Sequence, residues 1–298
     1  MKRRLKGVFV ALTTPFAAED VSVSRFQDNI RDYNTLGLGG YVVLGSTGEC
    51  LSLTDAESEA LVKASVQARG EGKLIIGGTG RESTRLTVDF TNRMADAGAD
   101  AALIRPPSYF KTLMTPEVLK MHYWTVADRV RVPVIIYNIP RNTGIAMDSG
   151  LVAGLAGHPN IIGLKDSSGD VSFIGETARR VPGDFCCLVG SGSVFLFGLE
   201  LGATGAILAV ANAAPEICLR IFQAFQERRL EDARKHQSEL IPLNKAVTET
   251  YGIAGLKYAQ QRRGYHGGEA RSPLLPLDDK ARADIDSLLL KLNLREKP

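Results

Sequence analysis

The chain has 298 residues, 44% of them hydrophobic, and a net charge of +3. That length accommodates one barrel-sized domain with an appendage or two ordinary domains. The small charge argues against nucleic acid as a partner, because the basic residues are dispersed apart from Lys2-Arg3-Arg4 and Gln261-Arg262-Arg263. No apolar stretch approaches the roughly 20 residues of a membrane helix, and Met1 to Leu5 runs into a strand without an apolar signal region. The expectation is a cytoplasmic protein with no membrane contact.

In chain order, a short apolar run, a polar turn and a helix-like stretch recur eight times. The runs are Gly7–Leu12, Gly40–Leu44, Leu74–Gly77, Ala101–Ile104, Val134–Tyr137, Ile161–Leu164, Phe185–Val189 and Gly205–Val210. Runs without strict alternation, separated by helices, indicate parallel strands covered on one side by helices. Eight such units predict an α/β fold, a closed (β/α)8 barrel over residues 1–224; an open doubly wound sheet is the alternative. Thr54 followed by Glu57 has capping-box spacing, and Pro116 sits at a first helical position. From about Pro215 the chain reads as helices, including Ile217 to Phe225, Leu230 to Leu240 and Asp278 to Leu290. Residues 225–298 are therefore expected to form a C-terminal helical extension.

Four cysteines, Cys50, Cys186, Cys187 and Cys218, show no paired spacing and read as reduced core thiols. Adjacent positions in a strand should send Cys186 and Cys187 to opposite faces. The four histidines are scattered, so neither a metal site nor a cofactor is expected.

In a barrel of this type, chemistry sits at the C-terminal ends of the strands. Lys165 ends the run Ile161–Leu164 and precedes Asp166-Ser167-Ser168-Gly169. An unpaired ammonium is costly there, whereas a buried neutral amine can condense with a ketone. A strand-end lysine that merely extends its charge into water is the plain alternative. Gly45-Ser46-Thr47-Gly48-Glu49 offers backbone N–H groups and hydroxyls suited to a small carboxylate or to proton relay. Tyr137 lies 28 positions before Lys165 on the preceding strand, so both side chains can reach one barrel mouth. Gly190-Ser191-Gly192-Ser193 before an apolar helix leaves a phosphate-binding enzyme conceivable.

The motifs G-S-T-G-E at 45–49, Y-N-I-P at 137–140 and G-L-K-D-S at 163–167, in this order and spacing, resemble the dihydrodipicolinate synthase and N-acetylneuraminate lyase family. The resemblance covers nearly the whole chain, including Thr13-Thr14-Pro15-Phe16 and the helical tail. It implies a homotetramer built from dimers and catalysis through a pyruvate Schiff base. Lys165 would form the imine, Tyr137 would be the general acid/base, and Thr47 would pass the proton. Ser46 and Thr47 would hold the pyruvate carboxylate, with Gly190 and Ile207 lining the pocket. Tyr109 matches the tyrosine donated to a neighbouring subunit's site, unless a one-residue shift puts Phe110 there.

Synthases of this family typically read Y-N-V-P-x-R-T-G, and Asn142 stands here at the arginine that grips the aldehyde substrate's carboxylate. A neutral amide lacks the charged, bidentate grip of a guanidinium, unless Arg141 substitutes. N-T-G at 142–144, the segment 158–171 and G-I-A-G-L-K at 252–257 resemble the 4-hydroxy-2-oxoglutarate aldolase branch, although Thr47 stands where that branch often has Asn. The favoured expectation is thus an aldolase releasing pyruvate from a short 4-hydroxy-2-oxo acid. Condensation of pyruvate with aspartate semialdehyde, the 4-hydroxy-tetrahydrodipicolinate synthase reaction, comes second. A non-catalytic relative that binds a 2-oxo acid is the reading from another class.

Overall fold

The eight apolar runs form eight strands of one closed sheet. The computed structural model describes residues 5–294, and the basic cluster Lys2-Arg3-Arg4 lies outside them. Strand β1 (Gly7–Ala11) leads into a small hairpin of β2 (Phe16–Ala17) and β3 (Asp20–Val21), then into helix α1 (Val23–Asn34). Next come β4 (Gly40–Val43) with α2 (Asp55–Ala68), β5 (Leu74–Gly78) with α3 (Thr84–Asp96), and β6 (Ala101–Ile104) with α4 (Pro116–Arg129). After β7 (Val134–Asn138) stand the one-turn α5 (Pro140–Thr143) and α6 (Ser149–Ala156). The last units are β8 (Ile161–Asp166) with α7 (Val171–Arg180), β9 (Cys186–Val189) with α8 (Phe195–Glu200), and β10 (Gly205–Leu208) with α9 (Pro215–Gln226). The tail adds α10 (Leu230–Lys245), α11 (Gly252–Arg262) and α12 (Asp279–Lys291).

All barrel strands pair in parallel, in the order β1-β10-β9-β8-β7-β6-β5-β4 and back to β1. The fold is a (β/α)8 barrel with C-terminal helices. Both faces of the strands are buried, which is why the runs lack alternation. Phe9, Val42, Ile76, Leu103, Leu188 and Ile207 fill the barrel interior, while Val8, Val10, Tyr41, Val43 and Ile75 pack beneath the helices. Cys186 points inward and Cys187 outward, as strand geometry requires. Burial pushes the Cys187 thiol up to about 12, so it is no nucleophile at neutral pH. Cys50 departs from the core-thiol expectation and is only half-buried.

Local signals place the boundaries. Thr54 and Glu57 form the complete capping box of α2, and Pro116 opens α4 after the cap Thr115. Asn212, just after the last barrel strand β10, ties back to the end of β1: its amide donates to Ala11 O at 2.7 Å and its Oδ1 accepts from Thr13 N. The hairpin β2–β3 had no sequence signal. Its turn residues Ala18 and Glu19 take φ of 49° and 72°, conformations that type I′ turns usually assign to Gly or Asn. Helix α10 continues past Leu240 through Pro242 and passes into a π-turn at Ala246–Thr250. Among the described residues, no helix is long and apolar enough to cross a membrane.

The tail is tied back to the barrel by Arg271, whose guanidinium pairs with Glu57 of α2 at 2.6 Å. This contact holds the Glu57 carboxyl at about 2, below its ordinary 4.5. A carboxyl with a depressed folded pKa binds fewer protons folded than unfolded, so its contribution is complete above about pH 4.5 and fades as pH falls toward 2. Glu57→Gln should therefore flatten the acid limb of the stability curve below that pH, measured by urea unfolding at stepped pH. An unchanged limb would refute the assignment.

Candidate active site

Strands β7 and β8 are adjacent, with Tyr137 opposite Lys165 and Asn138 opposite Asp166. Because side chains alternate along a strand, the first pair enters the barrel mouth and the second turns away from it. Lys165 Nζ donates to Tyr137 Oη at 3.3 Å and lies 4.3 Å from the centre of its ring. Both are buried, Lys165 at 4% exposure. An amine and a phenol in contact, away from bulk water, can serve as a nucleophile and its proton donor.

A cavity of about 360 Å³ opens above them. Ser46, Thr47, Asn142 and Gly190 line it together with Lys165 and Tyr137, so six of the residues singled out from sequence converge there. Arg141 also lines it, its guanidinium donating to Glu249 O at 3.4 Å. Ile207 does not line the cavity; it is fully buried in the barrel interior, in the same cluster as Tyr137. Tyr109 stands 80% exposed, in an adjoining cavity of about 490 Å³ that it shares with Ser46 and Asn142. Its loop is fixed by Glu82, which accepts from Ser108 N at 2.8 Å, Tyr109 N at 2.9 Å and Arg105 Nη1 at 2.7 Å. Phe110 is exposed too and meets Tyr109 edge-on.

Asn138 and Asp166 form a support that sequence reading missed. Asn138 Nδ2 and Ser168 Oγ each donate to the Asp166 carboxylate at 2.7 Å, and Met147 N donates to Asn138 Oδ1. Burial pushes the Asp166 carboxyl upward, while the hydrogen bonds from Ser168 and Asn138 draw it back. The signal was available, since these residues directly follow Tyr137 and Lys165 and strand periodicity turns them outward. Asn244, Thr248 and Glu249 complete the cavity from the end of α10 and the π-turn. Nothing local distinguished them, because only the tail's packing brings them to the barrel mouth.

Gly190 is required by close approach rather than by a left-handed backbone. Its N–H donates to Asp166 O at 2.6 Å, and a Cβ there would stand 2.0 Å from Ser167 Oγ and 2.7 Å from Asp166 O.

The turn Ser46–Gly48 is a 3₁₀ segment ended by Glu49 in the left-handed region, with φ 57°. Glu49 turns away from Lys165 toward the tail and meets Lys257 Nζ of α11 at 2.5 Å, both side chains being 1% exposed. Its other oxygen accepts from Arg271 N at 2.8 Å. Burial lowers the Lys257 pKa, and the Glu49 carboxylate opposes that shift.

Comparison with known proteins bears on this site. The model of the "Dihydrodipicolinate synthetase family" matches residues 4–292. A 4-hydroxy-tetrahydrodipicolinate synthase from Exiguobacterium sp. is 32% identical, over 96% of this chain and 98% of its own. An uncharacterised DapA-like lyase from Halobacterium salinarum is 36% identical, over 97% and 95%. The crystal structure of a dihydrodipicolinate synthase from Acinetobacter baumannii, complexed with pyruvate, superposes with a TM-score of 0.92 at 28% identity, covering 97% of this chain and 99% of that one. The aldolase branch suggested by N-T-G and G-I-A-G-L-K draws no specific support from these relatives.

Gly190→Ala tests the close approach at the barrel mouth. Overpacking of this kind costs about 1–3 kcal/mol. The expected result is a matching loss in denaturant unfolding, and wild-type stability would show that Ser167 moves aside freely.

Proposed function

Because the chain belongs to the dihydrodipicolinate synthetase family, a family of pyruvate-dependent class I lyases, we propose that Lys165 forms an imine with pyruvate and that the resulting enamine joins to, or separates from, a short aldehyde bearing a carboxylate. The observation that carries the reading is the buried Lys165–Tyr137 contact of 3.3 Å beneath the hydroxyls of Ser46 and Thr47.

The chemistry follows from charge. The Lys165 lone pair adds to C2 of pyruvate; Tyr137 supplies the proton with which the former carbonyl oxygen leaves as water. The protonated imine draws electrons from the C3–H bond, whose proton departs through Tyr137 and Thr47 to give the enamine. In synthesis C3 of the enamine attacks the aldehyde carbon, and the new alkoxide takes a proton back. In cleavage a C3–C4 bond breaks to the same enamine. After cleavage, C3 of the enamine takes a proton and water hydrolyses the imine to pyruvate and the free amine; after addition to aspartate semialdehyde, the semialdehyde's own amino group attacks C2, closing the ring and releasing the Lys165 amine.

For the second substrate, we propose aspartate semialdehyde first, as in the 4-hydroxy-tetrahydrodipicolinate synthase reaction. Two observations support it: the synthase name of the Exiguobacterium relative and Arg141, which brings a guanidinium to the cavity one position before the family arginine. Cleavage of a 4-hydroxy-2-oxo acid such as 4-hydroxy-2-oxoglutarate is the second reading. It is favoured by Asn142 and by the amide and hydroxyl groups of Asn244 and Thr248 in the same cavity. The exposed Tyr109 and Phe110, with Leu51 and Leu113 also exposed, support a further proposal that a second copy covers this face and completes the site, as a homotetramer built from dimers would do.

A parallel assay of semialdehyde condensation and 4-hydroxy-2-oxoglutarate cleavage decides between the acceptors; the first should have the higher kcat/KM, and the reverse order would favour the aldolase. Arg141→Met should raise the half-saturating semialdehyde concentration by about 10- to 100-fold, the value of a charged hydrogen bond, while leaving that of pyruvate unchanged. Equal acceptor affinity would dismiss Arg141 as the carboxylate grip. Lys165→Ala should abolish turnover. Tyr137→Phe should slow it by roughly 10²-fold or more, the range for lost proton transfer, and an unaffected rate would remove Tyr137 from that role.

A further inference from the structure

The pyruvate reading leaves Glu49 and Lys257 without a task, although they form a fully buried ion pair beside the turn meant to hold the substrate carboxylate. Resting on that reading, we propose that Glu49 and Lys257 are positioning residues, through which α11 of the tail sets Ser46 and Thr47 for pyruvate.

Three features carry the proposal. First, the backbone of Glu49 is left-handed directly after the 3₁₀ turn; Glu49 lines the adjoining cavity rather than the one above Lys165, and its carboxylate meets tail residues. Second, both carboxylate oxygens are taken by tail residues, one by Lys257 Nζ at 2.5 Å and the other by Arg271 N at 2.8 Å. Third, Lys257 is itself fixed on several sides. It donates to Glu269 O at 2.8 Å and lies 4.4 Å from the centre of the Phe16 ring.

The opposite side of the turn is held by the barrel, where Thr14 Oγ1 donates to Gly48 O at 2.8 Å. Ser46 and Thr47 thus lie between a barrel anchor and a tail anchor. Small displacements matter at such a site, since a shift of about 1 Å in a binding group can cost about 100-fold. A buried pair is also suited to holding a register, because neither charge can move without the other.

The test uses the full chain and reads exchange of the pyruvate C3 protons for deuterium in D₂O by NMR. Exchange reports enamine formation and needs no second substrate. Glu49→Gln and Lys257→Met should each raise the half-saturating pyruvate concentration by about tenfold or more. Lys257→Arg, which keeps the charge, should restore much of it. The double variant Glu49→Gln/Lys257→Met leaves no unpaired buried charge and should recover the melting temperature while keeping the raised half-saturation. A double variant that recovers both together would reduce the pair to a structural contact and overturn the proposal, as would single variants that bind pyruvate like the wild type. Should either single variant fail to fold, the double and Lys257→Arg variants still decide. No exchange by the wild type would overturn the pyruvate reading and this inference with it.

Discussion

The register between β7 and β8 is the constraint on which the site depends. Parallel pairing sets Tyr137 opposite Lys165, and barrel closure sends both side chains into a space from which water is largely excluded. A slip of one residue would put Asn138 and Asp166 in the mouth and bury the amine under the helices. That slip is opposed on the outer face, where Asn138 and Ser168 donate to the Asp166 carboxylate and Met147 N donates to Asn138 Oδ1. On the proposed function, the inner pair would supply the chemistry and the outer pair would fix where it happens.

A barrel mouth assembled only from strand ends would leave the site open on one side. Here the tail closes it. The π-turn after α10 contributes Thr248 and Glu249 to the cavity wall, and π-turns often occur at functional positions. Helix α11 anchors to the barrel through polar groups: Gln260 accepts from Thr13 Oγ1 at 2.6 Å and donates to Tyr33 Oη, which donates to Asn212 O. Together with Lys257 and Glu49, these contacts make the extension part of the active-site architecture. Burial of the ion pair carries a desolvation cost, and removing one partner of such a pair typically destabilises by about 3–5 kcal/mol.

The barrel was legible because its signals are local. Eight uninterrupted apolar runs, each before a polar turn, reveal parallel strands wherever both faces are buried. Lys165, Tyr137, Ser46 and Thr47 were legible for a related reason, as strand ends are where a barrel places chemistry. Two kinds of feature escaped. The β2–β3 hairpin uses Ala18 and Glu19 at positive φ, against their intrinsic preference, because Arg271 and Ser272 hold Glu19 from the tail. The residues of the π-turn and Lys257 acquire meaning only through contacts spanning more than 100 positions, as between Arg141 and Glu249, and no periodicity encodes such distances. Ile207, which the family resemblance implied as pocket lining, is buried in the barrel interior in the same cluster as Tyr137.

The central claim is that the buried amine beside Tyr137 forms a carbon–nitrogen double bond with pyruvate. Borohydride reduction in the presence of pyruvate, followed by peptide mass mapping, tests it most directly. The account predicts one reduced pyruvate per chain, carried by the peptide containing Lys165. An intact enzyme that turns over without any adduct, or an adduct mapped to a different lysine, would contradict it.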